Sequence, residues 1–159
     1  MSYRLRAEGT GFATSAPKVF MFDAVVHASP ERVFEAIVAD PRTWKAWFPG
    51  VTGGSYAAAA DAGVGATRIL RLAGARIRET VLVHEQPSRW VYRVDATSIP
   101  IARAALETWR FEEVPGGTRV RWTFAIDPRL LFRLLVPFPQ VILGVLWRRG
   151  MRNLGARLD

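Results

Sequence analysis

The spacing of apolar residues changes from extended to helical and back within the first third of the chain. A β-rich run over 18–28 ends at Ser29, whose hydroxyl can accept a bond from an N–H of a new helix, and Pro30 is pre-set for the first helical position. Val33, Phe34 and Ile37 then fall on one helical face. Asp40 followed by Pro41 repeats this start signal for a second, shorter helix carrying Trp44, Trp47 and Phe48. The predicted order is strand, short helix, short helix, strand.

From residue 51 to residue 127 the pattern is that of antiparallel strands divided by turns. Turn signals stand at Gly53 Gly54, Asp61 Ala62 Gly63, Ala73 Gly74 Ala75, Gln86 Pro87 Ser88, Ser98 Ile99 Pro100 and Pro115 Gly116 Gly117. With the run 18–28 this makes seven strands, and the short turns put sequence neighbours side by side. Alternation then assigns the faces. Ile77, Val81 and Val83 oppose Arg76, Arg78 and His84; Trp90, Tyr92 and Val94 oppose Arg89 and Arg93. Trp109 and Phe111 oppose Thr108 and Arg110, while Val120, Trp122, Phe124 and Ile126 oppose Arg119 and Arg121. The expectation is a curved sheet with an arginine-studded outer face and an aromatic inner one.

The C-terminal segment returns to helical spacing. A short helical piece is expected over 130–136, the prolines at 137 and 139 interrupt it, and a longer helix is predicted over 140–158. Leu143, Trp147, Met151, Leu154 and Leu158 form one stripe, which is expected to lie in the concavity of the sheet. The run 130–147 is strongly apolar, yet Arg133, two prolines and Gln140 make it a poor spanning helix. Flanked by Arg129, Arg148, Arg149 and Arg152, it reads either as a core helix with its lead-in or as a lid resting on an anionic membrane. Its apolar edge over 130–138 could also support a homodimer.

Composition narrows the classes. A chain of 159 residues fits one domain with one sizeable core, read as an N-terminal tail over 1–17, partly ordered, and a single domain over 18–159. Cysteine is absent, which removes disulfide and thiolate chemistry. The first residues carry no apolar run of the signal-peptide kind, so a cytoplasmic location is expected. The net charge of +8 rests on arginine, with Lys18 and Lys45 the only lysines. Because the arginines are spread over most predicted strands without a recognised motif, no nucleic-acid partner is expected.

Five stretches carry a family likeness: Ala28 Ser29 Pro30 Glu31 Arg32 Val33 Phe34, Asp40 Pro41 Arg42 Thr43 Trp44 Lys45 Ala46 Trp47 Phe48 Pro49 Gly50 Val51, Gly63 Val64 Gly65 Ala66 Thr67 Arg68, Glu79 Thr80 Val81, and Gly116 Gly117 Thr118 Arg119 Val120 Arg121 Trp122. Together they resemble the START-like superfamily known as SRPBCC, in its polyketide cyclase/dehydrase-like branch. The resemblance runs from about Phe20 to the C-terminus. It implies an α+β helix-grip fold, in which a seven-stranded antiparallel sheet wraps a long C-terminal helix, with a ligand cavity between them. Trp90, Tyr92, Trp109, Phe111, Trp122 and Phe124 from the sheet, Leu143, Trp147 and Met151 from the helix, and Arg68 are then the candidate cavity wall.

The chemistry available is limited. His27 and His84 stand alone, so no metal site is predicted, and no cofactor is expected. Gly63 Val64 Gly65 has Arg68 where the dinucleotide pattern needs a third glycine, and no Gly-x-Ser-x-Gly occurs. Glu79 shares parity with Ile77 and Val81, and Glu107 with Trp109 and Phe111, which aims both carboxylates inward. Arg68, Arg71 or Tyr92 could partner them, either as an ion pair tying strands together or as groups that recognise a ligand or move a proton. Three functions stay open. The first is a binder or carrier of a small hydrophobic molecule such as a lipid, isoprenoid or aromatic polyketide. The second is a cyclase-like enzyme using Glu79, Glu107 or Tyr92. The third is an interaction protein with a filled core and a basic outer face.

Overall fold

A computed structural model describes residues 1–57 and 62–159. One antiparallel sheet is built from β1 (Tyr3–Arg4), β2 (Lys18–Val26), β3 (Val51–Tyr56), β4 (Thr67–Leu72), β5 (Ala75–Glu85), β6 (Arg89–Thr97), β7 (Ala102–Val114) and β8 (Gly117–Pro128). Its order is β2-β8-β7-β6-β5-β4-β3, so β3 to β8 lie beside their sequence neighbours and β2 closes the far edge against β8. The seven predicted strands are all present, and β1 is an eighth. Asp61, in the turn predicted at Asp61 Ala62 Gly63, lies outside the described residues.

Helices α1 (Phe12–Ser15), α2 (Pro30–Val38), α3 (Leu130–Leu135) and α4 (Pro139–Leu158) complete the fold, with a 3-10 helix over Pro41–Ala46. The two predicted starts form as the sequence chemistry requires. Ser29 Oγ accepts from the Arg32 N–H at 3.4 Å, and Asp40 Oδ1 accepts from the Arg42 N–H at 2.9 Å. α2 buries Val33, Phe34, Ile37 and Val38 against the sheet, and the 3-10 helix buries Trp44. α4 lies along the inner face with Trp147, Met151 and Leu154 buried, and Leu143 and Leu158 half-buried at either end of that stripe. A Cβ at Gly144 would stand 3.2 Å from the Phe22 ring, so glycine lets α4 approach β2 this closely. Asn153 Nδ2 donates to the Trp47 carbonyl at 3.0 Å and fastens α4 to the 3-10 helix.

Strict alternation fails at one place in β5. A β-bulge between Val81 and Val83 shifts the parity by one residue. Val83, predicted inside with Val81, packs with Val91, Leu106 and Phe12 on the outer face. His84, predicted outside, meets the Phe34 ring at a centroid distance of 5.3 Å and bonds the Ala62 carbonyl at 2.8 Å.

The outer face also differs from the arginine-studded surface predicted for it. Arg76, Arg78, Arg110 and Arg119 are exposed there, but Val91, Ala104, Leu106 and Ala125 form an apolar patch in its middle. The first seventeen residues, read as a partly ordered tail, cover it. β1 pairs with β6 through Tyr3↔Thr97 and Arg4↔Ala96, Leu5 joins the inner core, and Phe12 of α1 seals the patch. Covering an apolar patch of this kind stabilises the fold, because burial of apolar area is the main favourable term.

Candidate functional site

Register places the inner-face aromatics in rows across the sheet. Trp90 on β6 stands opposite Trp109 on β7, Trp109 opposite Trp122 on β8, and Trp122 opposite Phe22 on β2. The neighbouring row runs Tyr92, Glu107, Phe124 and Phe20. Strand pairing alone therefore sets side chains from four strands in contact. Trp147 of α4 closes on the first row, with ring centroids 5.3 Å from Trp109 and 5.5 Å from Trp122. From the other side Trp44 reaches Trp109 at 5.6 Å and Trp47 at 4.7 Å. All six tryptophans are buried in one continuous cluster.

Two carboxylates sit in this cluster in different surroundings. Glu79 lies opposite Arg68 in the β4–β5 register, and Arg68 Nε donates to its Oε2 at 2.6 Å, with the two side chains 2% and 1% exposed. The guanidinium carbon stands 4.5, 4.8 and 4.6 Å from the ring centroids of Trp44, Trp90 and Tyr92, an aromatic box around a cation. Burial raises the Glu79 carboxyl and Arg68 opposes it; for Arg68, burial works downward, but the Glu79 charge and hydrogen bond together with Tyr92 and Tyr56 outweigh it, so the guanidinium stays protonated. Arg71, the other predicted partner, points to solvent.

Glu107 is held by neutral donors. Tyr92 Oη donates to its Oε2 at 2.6 Å and Trp122 Nε1 at 2.8 Å, while Trp109 Nε1 donates to Tyr92 Oη at 3.2 Å. Burial, then the charge of Glu79, push this carboxyl up to about 7, the two hydrogen bonds opposing. Burial and the neighbouring Glu107 also raise Tyr92 well above the usual phenol value. Glu107 is thus a carboxyl whose proton is exchangeable near neutrality.

That environment has a pH signature. Below the ordinary carboxyl range Glu107 is neutral both folded and unfolded. As pH rises through that range the unfolded chain ionises first, so stability is lost until the folded carboxyl ionises at about 7. Glu107→Gln removes this term and should flatten the fall, a difference of up to about 3 kcal/mol between acid and neutral pH. Urea unfolding of both proteins across that range measures it; parallel profiles would show that Glu107 titrates normally.

The cluster also holds donors without acceptors. Trp44 Nε1 donates to the Ile37 carbonyl at 2.7 Å. Among the described residues, Nε1 of Trp47, Trp90 and Trp147 and both terminal nitrogens of Arg68 are buried without a hydrogen-bond partner. Buried donors of this kind are uncommon in native cores.

The structure brings most of the predicted wall together. Trp90, Tyr92, Trp109, Phe111, Trp122, Trp147, Met151 and Arg68 are buried in the one cluster, with Phe124 and Leu143 half-buried at its margin. Trp44, Trp47 and Phe22 belong to the same cluster and were not among the predicted wall. The signal for the first two was their spacing behind Asp40 and Pro41, which gives a short helix two indoles on its sheet-facing side. No group of three or more histidine, cysteine or acidic side chains is close enough to hold a metal ion among the described residues. Nor is any helix there long and apolar enough to cross a membrane.

Solved structures share this architecture. A START superfamily protein from Mycobacterium smegmatis matches with a TM-score of 0.69 at 16% identity, covering 88% of this chain and 96% of that one. The ginseng major latex-like protein 151 from Panax ginseng matches with a TM-score of 0.71 at 11% identity, covering 89% and 97%. At such identities the likeness is one of fold. An uncharacterised protein of Mycobacterium tuberculosis is 28% identical over 158 residues, 99% of this chain and 94% of its own length. Residues 20–159 match the family model described as polyketide cyclase / dehydrase and lipid transport, and with nearly the whole domain covered the chain belongs to that family.

Proposed function

We propose that this protein binds a small, largely apolar molecule between the inner face of its sheet and α4. A lipid, an isoprenoid or an aromatic polyketide has the required character. The observation that carries this reading is the set of buried donors without acceptors, on Arg68, Trp47, Trp90 and Trp147, inside a wall that is otherwise aromatic. A core meant only to be filled would favour carbon at those positions, since each unsatisfied buried donor costs about 1–3 kcal/mol. A flat molecule bearing one or two oxygen atoms would stack on the rings and accept from these N–H groups.

Entry requires α4 to draw Trp147 away from Trp109 and Trp122. Burying about 300 Å² of ligand at roughly 25 cal/mol per Å² supplies about 7.5 kcal/mol before ordering costs; micromolar affinity needs roughly 8 kcal/mol net, so a larger ligand or hydrogen bonds to the unpaired N–H groups must supply the rest. Native mass spectrometry of gently purified protein, followed by organic extraction, tests the reading. An added mass removed by extraction supports it. A bare protein that also ignores fatty acids, quinones and polyaromatics would favour an interaction module with a filled core.

Glu107 supports a second reading, that of a cyclase-like catalyst. A half-buried carboxyl at about 7 beside the Tyr92 hydroxyl can give or take a proton at neutral pH, which cyclisation of a poly-β-ketone needs. Glu107→Gln would then bind ligand as the native protein does and lose turnover. Equal turnover in both removes this reading and leaves the binder.

A further inference from the structure

We propose that α3 and the first half of α4 dock this protein on an anionic lipid surface. Exposed large apolar side chains are concentrated there. Leu130, Leu134, Leu135, Phe138, Val141 and Val145 are each at least half exposed; of the other exposed large apolar residues described, Val19, Met21 and Val25 share the outward face of β2, and Met1 and Val64 stand apart. Phe138 has a φ of +53°, an uncommon backbone for a bulky residue, and this conformation between the two helices leaves its ring 80% exposed.

Charge identifies the partner. From residue 129 to residue 158 there is no aspartate or glutamate, and Arg129, Arg133, Arg148, Arg149 and Arg152 are all exposed. On α4 the positions 141, 145, 148 and 152 form one outward stripe that changes from valine to arginine along the helix. At about 1.5 Å per residue, Arg149 and Arg152 stand roughly 6 and 10 Å beyond Val145, about the distance from the acyl boundary to the phosphates. The apolar end would sit among acyl chains and the arginines would reach phosphate groups. A second copy of the chain fits less well, since a twofold contact through this edge brings arginines against arginines.

This inference does not depend on what the interior binds. Its test is co-sedimentation with vesicles of phosphatidylcholine alone or with roughly 30% phosphatidylglycerol, at low and at physiological salt. The native protein should bind the anionic vesicles about tenfold or more tightly than the neutral ones, and less at the higher salt. The pair Leu134→Glu with Phe138→Glu, and the pair Arg148→Glu with Arg149→Glu, should each weaken binding about tenfold or more while circular dichroism stays native. These positions are exposed, so the variants should fold. The proposal is overturned if the native protein stays in solution with anionic vesicles at low salt, or if both folded variants bind as it does. It is also overturned if sedimentation velocity without lipid finds a dimer that Leu134→Glu with Phe138→Glu splits.

Discussion

Glu79→Ala should destabilise this protein by about 3–5 kcal/mol, because it leaves the Arg68 guanidinium buried with no carboxylate beside it. Arginine cannot escape by losing its proton, so the charge itself must be accommodated by the ring faces of Trp44, Trp90 and Tyr92. Against a typical total stability of roughly 5–15 kcal/mol, that loss is large. Replacing both partners, as Arg68→Met with Glu79→Leu, removes the two buried charges together and should recover most of the loss. Urea unfolding of Glu79→Leu, Arg68→Met and the double variant completes the cycle. A single variant within about 1 kcal/mol of the native protein would mean that water reaches the pair.

Trp147→Ala is the second large effect, expected at about 3–5 kcal/mol. The indole is 1% exposed and joins α4 to the sheet through its contacts with Trp109 and Trp122. Its loss leaves an apolar hole lined by rings, a kind of cavity that takes up small aromatic molecules. Added indole should therefore raise the melting temperature of the variant by mass action, and by more than it raises that of the native protein. A variant that indole does not stabilise would show that α4 collapses onto the sheet instead.

Much of this arrangement was legible in the residues. Ser29 with Pro30 and Asp40 with Pro41 both start helices, because a side-chain acceptor and a pre-set φ act within one turn of chain. The inward parity of Trp90, Tyr92, Trp109 and Trp122 also holds, since β6, β7 and β8 pair without a register shift through those residues. Parity failed at Val83 and His84, where a bulge in β5 turns the strand over and no glycine or proline marks the place.

What lay beyond local pattern was the pairing of distant groups. The sequence offered Arg68, Arg71 and Tyr92 as partners for two carboxylates; register alone assigns Arg68 to Glu79 and Tyr92 to Glu107. Leu5 and Phe12 stood as single apolar residues in a polar stretch, and only the sheet shows what they cover. Likewise Trp44 and Trp47 join the wall because the 3-10 helix packs beside β3 and sets Trp44 against Arg68 and Trp90, with Trp47 tilted against Trp44.

The six indole N–H groups offer the most direct test of ligand binding in the interior. Trp44, Trp109 and Trp122 already have acceptors, whereas Trp47, Trp90 and Trp147 do not. Their nitrogen-15 proton-correlated signals, assigned by single substitutions, can be followed while fatty acids, quinones and polyaromatic molecules are added. Binding between sheet and α4 predicts saturable shifts that are largest at Trp147 and at one or both of Trp47 and Trp90. Six signals that stay fixed through saturating amounts of every class would contradict it.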